Sequence, residues 1–263
     1  MYQIPTLVNL FSPANIVIYM LVFTRLTGLI QSAPFFSTLR APVMVKFWLA
    51  AITAFIMYPI IQATKAFVLP HSMPEFFVLL VIEFFVGYLI GFIANLLFDG
   101  VKIAGSMLSI QMGLAMSQAL DPVTGVQSPE ISTLYTYLAT FVFLLTGAYQ
   151  LLFISLFNSF NTIPMGVFPI FDTNIISSVM TLFSQMFKIG FGVALPIFSV
   201  LLTADILLGL MSKMMPHMNV YMAAIPVKIY IGLILFLAFL SSTATYLRGV
   251  IYEYFKVIDS IFG

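Results

Sequence analysis

Three apolar runs in this chain are each about forty residues long or more: Ser72 towards Leu120, Asn174 to Met215, and Tyr221 to Phe262. As α-helix, at 1.5 Å per residue, such a run measures about 60 Å. The hydrocarbon core of a bilayer is only ~30 Å thick, and a spanning helix needs about 20 apolar residues. Tilt alone does not absorb a twofold excess. Either each run breaks into two pieces or the helices extend beyond the lipid and are covered by partner proteins. The candidate break points are Gly100 to Gly113, Gly190 to Pro196, and Ser241-Ser242.

Composition removes the alternative of a soluble fold. Of 263 residues, 62% are apolar and 7% charged, against about 45–50% and roughly 25% in a soluble domain. A soluble chain of this make-up would expose large apolar patches everywhere. Ten Lys and Arg against nine Asp and Glu leave a net charge of +1, so no basic field attracts nucleic acid. Two His and no Cys remove most metal chemistry and all disulfide or thiol chemistry, and no metal or cofactor is expected. Residues 1–13 carry no Lys or Arg. The charged region of a secretory signal is therefore missing, and the first apolar stretch is expected to stay in the mature protein.

Pro, Gly and polar clusters divide the chain into six apolar blocks. The first runs from about Pro13 to Ala33, with Ser12 as N-cap, Pro13 at the first helical position and Pro34 as terminator. The second runs from about Val43 to Leu69 and is interrupted at Pro59. The third opens on Ser72-Met73-Pro74-Glu75, a capping box. A polar loop from Asp121 to Pro129 leads to the fourth, which ends near Phe160. The fifth begins near Asn174 and the sixth near Tyr221, with a short break at Pro216 between them. No block alternates with period two, which excludes a barrel of roughly ten-residue strands. The expected fold is all-α, a membrane-associated bundle of long helical hairpins.

Arg25, Glu83, Lys188 and Asp205 lie inside apolar blocks, where a charge normally faces protein or water. They form either a proton or ion pathway or ion pairs between helices or subunits. Four scattered charges make a thin relay, which favours ion pairs. Lys188 and Asp205 are too far apart to pair within one helix, so each needs a partner elsewhere; Asp99 and Lys102 are placed to pair locally. Gly87 and Gly91 form a G-x-x-x-G that admits a close neighbour helix. Residues 104–125 combine Gly, Ser, Gln and Met. They read equally as a re-entrant or pore-occluding loop and as a helix end with its connector. Met211, Met214, Met215, Met218 and Met222 cluster near the fifth break; Met suits a deformable gasket as well as ordinary core filling. No P-loop, H-E-x-x-H or G-x-S-x-G is present. His71 and His217 sit apart in loops, and the chain is not expected to be an enzyme.

Four ordered stretches resemble the FliR/SctT family of type III secretion export-gate proteins. Phe23-Thr24-Arg25-Leu26-Thr27-Gly28, continuing to Ala33-Pro34-Phe35-Phe36, is like the family's F-x-R-x-x-G…P-x-F opening. Glu83 through Gly87 and Gly91 to Phe92 is like E-x-x-x-G-x-x-x-G-F. Ala104-Gly105, Gln111-Met112-Gly113 and Asp121-Pro122 are like A-G-x-x-x-x-x-Q-M-G…D-P. Ala194-Leu195-Pro196, Asp205, Leu208-Gly209 and Pro216-His217-Met218-Asn219-Val220-Tyr221 are like A-L-P…D-x-x-L-G followed by P-Q-x-N-V-F. Here His217 stands for the usual Gln and Tyr221 for the usual Phe.

The resemblance covers almost the whole chain. It implies a non-enzymatic subunit of the flagellar export gate in the bacterial inner membrane, at the basal body. FliP-like, FliQ-like and FlhB-like subunits would be its partners, and unfolded proteins would pass in transit. It implies a FliP-like part over residues 1–173 and a FliQ-like helical hairpin over residues 174–263. It further implies that a loop plugs the closed pore, matched here by Gly105, Ser106, Met107, Gln111, Met112, Gly113, Met116, Asp121 and Pro122, and that Pro216 and Asn219 belong to a loop motif. The competing reading is a small secondary transporter using the four in-block charges. It requires inverted repeats, and no convincing internal repeat is found.

Overall fold

The computed structural model describes residues 12–38, 42–64, 70, 72–114, 131–167, 173–214 and 220–262. All regular structure among them is helical: α1 (Pro13–Ser32), α2 (Pro34–Thr38), α3 (Val43–Thr64), α4 (Met73–Gln111), α5 (Ile131–Leu145), α6 (Ala148–Thr162), α7 (Thr173–Met214) and α8 (Val220–Phe262). His71, Met116, Asp121, Pro122, Pro216, His217 and Asn219 lie outside the described residues, as do Met215 and Met218 and the side chain of Met222.

Local signals start these helices as the sequence indicates. The Ser12 side chain accepts the amide of Asn15 at 3.4 Å, with Pro13 in the first turn. Ser72 Oγ accepts the Glu75 amide at 3.4 Å. Pro34 ends α1 and opens the short α2.

Three boundaries differ from expectation. Pro59 does not interrupt α3, and Pro196 sits inside α7. A proline removes one helix hydrogen bond, and the intact turns on either side carry the helix past it. Next, α7 and α8 run unbroken for 42 and 43 residues through the proposed breaks at Gly190 to Pro196 and Ser241-Ser242, while α4 passes Gly100 and Gly105 and ends inside the third proposed break, at Gln111, with Gly113 at φ +81°. A helical glycine or serine pair weakens a run, but in an apolar medium the alternative is an unpaired backbone. Finally, the fourth block divides at Thr146-Gly147. There Gly147 adopts φ +70°, a conformation that only glycine reaches cheaply. The Thr146 amide and hydroxyl both donate to the Val142 carbonyl at 2.9 Å, and the hydroxyl also reaches the Phe143 carbonyl at 3.1 Å.

The chain forms two compact units. The first comprises described residues within Met1–Leu96, Gly147–Leu182 and Glu253–Gly263. In it α1 packs on α3, with Tyr19 donating to the Ala51 carbonyl at 3.2 Å and Gln62 donating to Asn15 at 2.6 Å. The start of α4 lies against α1 so closely that a Cβ at Gly87 would collide with the Arg25 carbonyl, and one at Gly28 with the Phe84 carbonyl. Gly91 sits likewise against Ser32 and Leu29. The end of α8 closes this unit: Tyr254 donates to the Ile93 carbonyl at 2.8 Å, and Asp259 accepts from Asn158 at 3.1 Å.

The second unit comprises Leu97–Thr146 and Phe183–Tyr252. Its core holds edge-to-face ring pairs, Phe98 with Phe143 at 5.6 Å and Tyr135 with Phe236 at 5.0 Å. Small residues again set the close approaches: Gly100 faces the Met186 backbone, and Gly105 faces Ser132.

Among the described residues five helices are long and apolar enough to cross a membrane, Pro13–Ser32, Val43–Gln62, Met73–Gln111, Ile176–Met214 and Ala224–Asp259, and the pair α5–α6, bent by 71°, makes a sixth if it counts as one span. In the most apolar windows of Ile176–Met214 and Ala224–Asp259, only 22% and 17% of residues are buried within the chain, so something outside it covers most of their surface. The close α1–α4 crossing yields a first prediction. Gly87→Leu should lower the thermal unfolding midpoint of the detergent-purified protein by more than a surface Ala→Leu change does. Overpacking a tight contact costs about 1–3 kcal/mol or more, and here the obstacle is backbone.

Candidate functional site: buried charges and the end of α4

Arg25 on α1 and Glu83 on α4 are brought together at that close crossing. Both side chains are 0% exposed, and Arg25 Nε donates to Glu83 Oε2 at 2.5 Å. Both groups make further contacts. Arg25 Nη1 donates to Ser159 Oγ at 3.1 Å and Nη2 to the Ile163 carbonyl at 3.4 Å. The guanidinium carbon lies 4.0 Å from the centroid of the Phe160 ring, a cation–π contact. Glu83 Oε1 accepts the Gly166 amide at 2.9 Å. An arginine's planar fork suits this multiple engagement better than a lysine's point charge. Two charges, an aromatic ring and two backbone groups thus join α1, α4, α6 and the turn after it.

Asp205 on α7 also finds its partner, and it is one the sequence does not single out. Lys228 on α8 lies 2.6 Å from Asp205 Oδ1, and Gln111 at the end of α4 donates to Oδ2 at 2.6 Å. Lys228 is 15% and Asp205 39% exposed, so solvent screens this pair far more than the first. Asp99 and Lys102 pair along α4 at 2.8 Å. Lys188 is exposed on α7 and has no ion-pair partner among the described residues.

The described part of the plug stretch is helix and cap. Residues 105–111 complete α4. Met112 donates its amide to Leu108 at 2.8 Å, and Gly113, at φ +81°, donates to Ile110 at 3.0 Å. Ser106 is exposed and Met107 half-buried. Met112 is buried and covers Gly232 on α8. Gln111, Met112 and Gly113 line a cavity of about 300 Å³ together with Asp205, Leu208, Gly209, Ser212, Ile225 and Lys228. Met211 and Met214 are exposed on α7.

Sequence reasoning did not single out Lys228, Ser159, Phe160 and Gly166. Ser159 and Phe160 belong to an ordinary amphipathic helix, and nothing local marks them as arginine partners. Lys228, four residues from Ala224 in an apolar run, carries the same signal as Lys188 and was there to be read.

These elements define a class: an all-α membrane protein whose in-block charges tie helices together, with helices too long for the bilayer. Residues 16–254 match the family described as bacterial export proteins, family 1, and the chain belongs to this FliR/SctT family. It is 28% identical to flagellar biosynthetic protein FliR of Aquifex aeolicus, over 91% of this chain and 92% of that one. Its identity to FliR of Escherichia coli is 28% over 93% and 92%. The surface presentation of antigens protein SpaR of Shigella flexneri is 29% identical over 64% of each chain.

The two ion pairs should differ in weight. Arg25→Ala or Glu83→Ala alone should cost about 3–5 kcal/mol, because each strands a buried charge. Arg25→Met with Glu83→Leu should regain much of that loss. Lys228→Met should cost no more than about 1 kcal/mol, since its pair is solvent-screened. Thermal unfolding of the purified protein in one detergent compares all four.

Proposed function

We propose that this chain is a non-enzymatic subunit of a flagellar type III protein export gate in the bacterial inner membrane, at the basal body. It forms part of the channel for unfolded substrates together with FliP-like, FliQ-like and FlhB-like chains. The observation that carries this is the length of α4, α7 and α8, roughly twice a bilayer, joined to family membership along nearly the whole chain. Helices of this length with so little of their surface buried need neighbours of the same length. Residues 1–173 would be the FliP-like part, and residues 174–263 the FliQ-like hairpin of α7 and α8.

Arg25 and Glu83 then hold the fold together, and Asp205 with Lys228 fastens the hairpin to the end of α4. Gly105 to Gly113 would lead into the loop that plugs the closed pore. Gln111 and Met112 support this, because they anchor the last turn of α4 to α7 and α8 and leave the chain after Gly113 a fixed starting point. No observation favours the transporter reading: Arg25, Glu83 and Asp205 are each engaged by fixed partners.

The test is co-expression with FliP-like and FliQ-like chains. The expected result is a stable complex recovered through this chain; a well-behaved monomer that never associates would overturn the reading. Within that complex, Gln111→Ala with Met112→Ala should raise ion conductance in planar bilayers while leaving composition unchanged. Conductance at background with the complex intact would remove the plug assignment.

A further inference from the structure

One face of α7 has no role so far. Met186, Ile189, Val193 and Ile197 are buried. On the opposite side Ser184, Lys188, Phe191 and Leu195 are exposed. Ser184 and Lys188 are one turn apart, and neither side chain makes a hydrogen bond or ion pair among the described residues. Other hydroxyls of α7 are spent on their own helix: Thr181 donates to the Ser177 carbonyl, Ser199 to Pro196 and Thr203 to Ser199. The other charges singled out within apolar blocks are paired: Arg25 with Glu83, Asp99 with Lys102, and Asp205 with Lys228.

Lipid does not suffice to cover this face. Lys188 stands twelve residues after Ile176 in the apolar stretch Ile176–Met214, with twenty-six residues beyond it. These are about 18 Å and about 39 Å of helix. If the bilayer surrounds Lys188, an unpaired ammonium faces hydrocarbon, which is strongly unfavourable. If Lys188 instead marks one edge of the bilayer, an apolar length is left outside it. On one side that length includes Ile176, Met180, Phe183 and Phe187; on the other, Leu195, Leu202 and Ile206, and all seven are exposed. Either placement calls for protein over this side of α7. A covering helix would strip water from Lys188, and a desolvated ammonium requires an opposite charge.

We propose that the α7 face built on Ser184, Lys188, Phe191 and Leu195 docks an apolar helix of another export-gate chain that carries a carboxylate level with Lys188. The Ser184 hydroxyl, one turn away, supplies a hydrogen bond to the same helix, and its small side chain lets that helix come close. Phe191 and Leu195 extend the apolar contact on the other side of the charge. This inference rests on the multi-chain reading above and names the chemistry of one joint within it.

The test uses the full chain co-expressed with its gate partners. Lys188→Glu places like charges together and should cut recovery of the neighbouring chain by at least about tenfold, whereas Lys188→Arg should stay within about twofold of wild type. Replacing the partner's carboxylate by Lys should restore assembly of Lys188→Glu. The chain has no cysteine, so Ser184→Cys, a near-isosteric change, supplies a single thiol. That thiol should form a disulfide with a cysteine placed within one turn of the partner's carboxylate. This arm does not depend on the folding of the charge-reversed variant. Wild-type assembly by Lys188→Glu, or a Ser184→Cys thiol that crosslinks to no partner helix, would overturn the proposal. Those results leave the export-gate reading standing, which fails only if the unmodified chain itself recovers no partners.

Discussion

The Arg25–Glu83 pair is the interaction on which the first unit depends. Between helices in lipid the hydrophobic effect is weak, because lipid tails are as apolar as leucine. Apolar helices can slide and rotate against each other at little cost, and something else must set their register. Here two devices act at one place. Gly28, Gly87 and Gly91 let the backbones of α1 and α4 touch, and the charges lock the crossing. Neither works alone. Without the glycines the charged groups would not be sealed from solvent and lipid; without the charges the glycine surfaces would tolerate several registers.

The same pair reaches further than two helices. Ser159, Phe160, Ile163 and Gly166 all contribute to it, so the end of α6 and its following turn are recruited by side chains more than seventy positions away. A buried ion pair is often no more stable than an apolar replacement of the same shape. Its value here is specificity, since four separate segments must be correctly placed before these bonds form together. The Gln111–Asp205–Lys228 group in the second unit follows the same design with more exposure. It is a looser joint, at the end of α4 rather than in its first half.

Much of this was legible from residue types alone. Charges inside apolar blocks announced Arg25, Glu83 and Asp205, and the G-x-x-x-G announced the close crossing. The caps at Ser12 and Ser72 were local and therefore readable. Partner choice was not readable, because Ser159 and Gly166 acquire meaning only when α6 arrives beside α1. The continuity of α3 and α7 through Pro59 and Pro196 was also hidden. Punctuation rules come from water, where a broken helix finds solvent; an apolar setting penalises the break itself. Gly147 shows the converse: one glycine in a left-handed conformation, beside a threonine hydroxyl bonded to the last turn, ends a helix that composition would continue.

Length separates two kinds of apolar surface that composition cannot tell apart. The exposed face of α3, with Met44, Trp48, Ile52, Phe55 and Ile56, belongs to a helix of 22 residues, about 33 Å, a length close to that of the ~30 Å hydrocarbon core. The exposed faces of α7 and α8 carry the same residue types on helices of 42 and 43 residues. No position of a ~30 Å layer covers more than about half of either. The apolar excess of this chain, 62% against 7% charged, is therefore shared between two solvents, lipid for the short helices and neighbouring protein for much of the long ones. The charges that remain unpaired in such a chain are the ones to examine as joints, because a surface made for another protein can leave a charge to be neutralised from outside, and a surface made for lipid cannot.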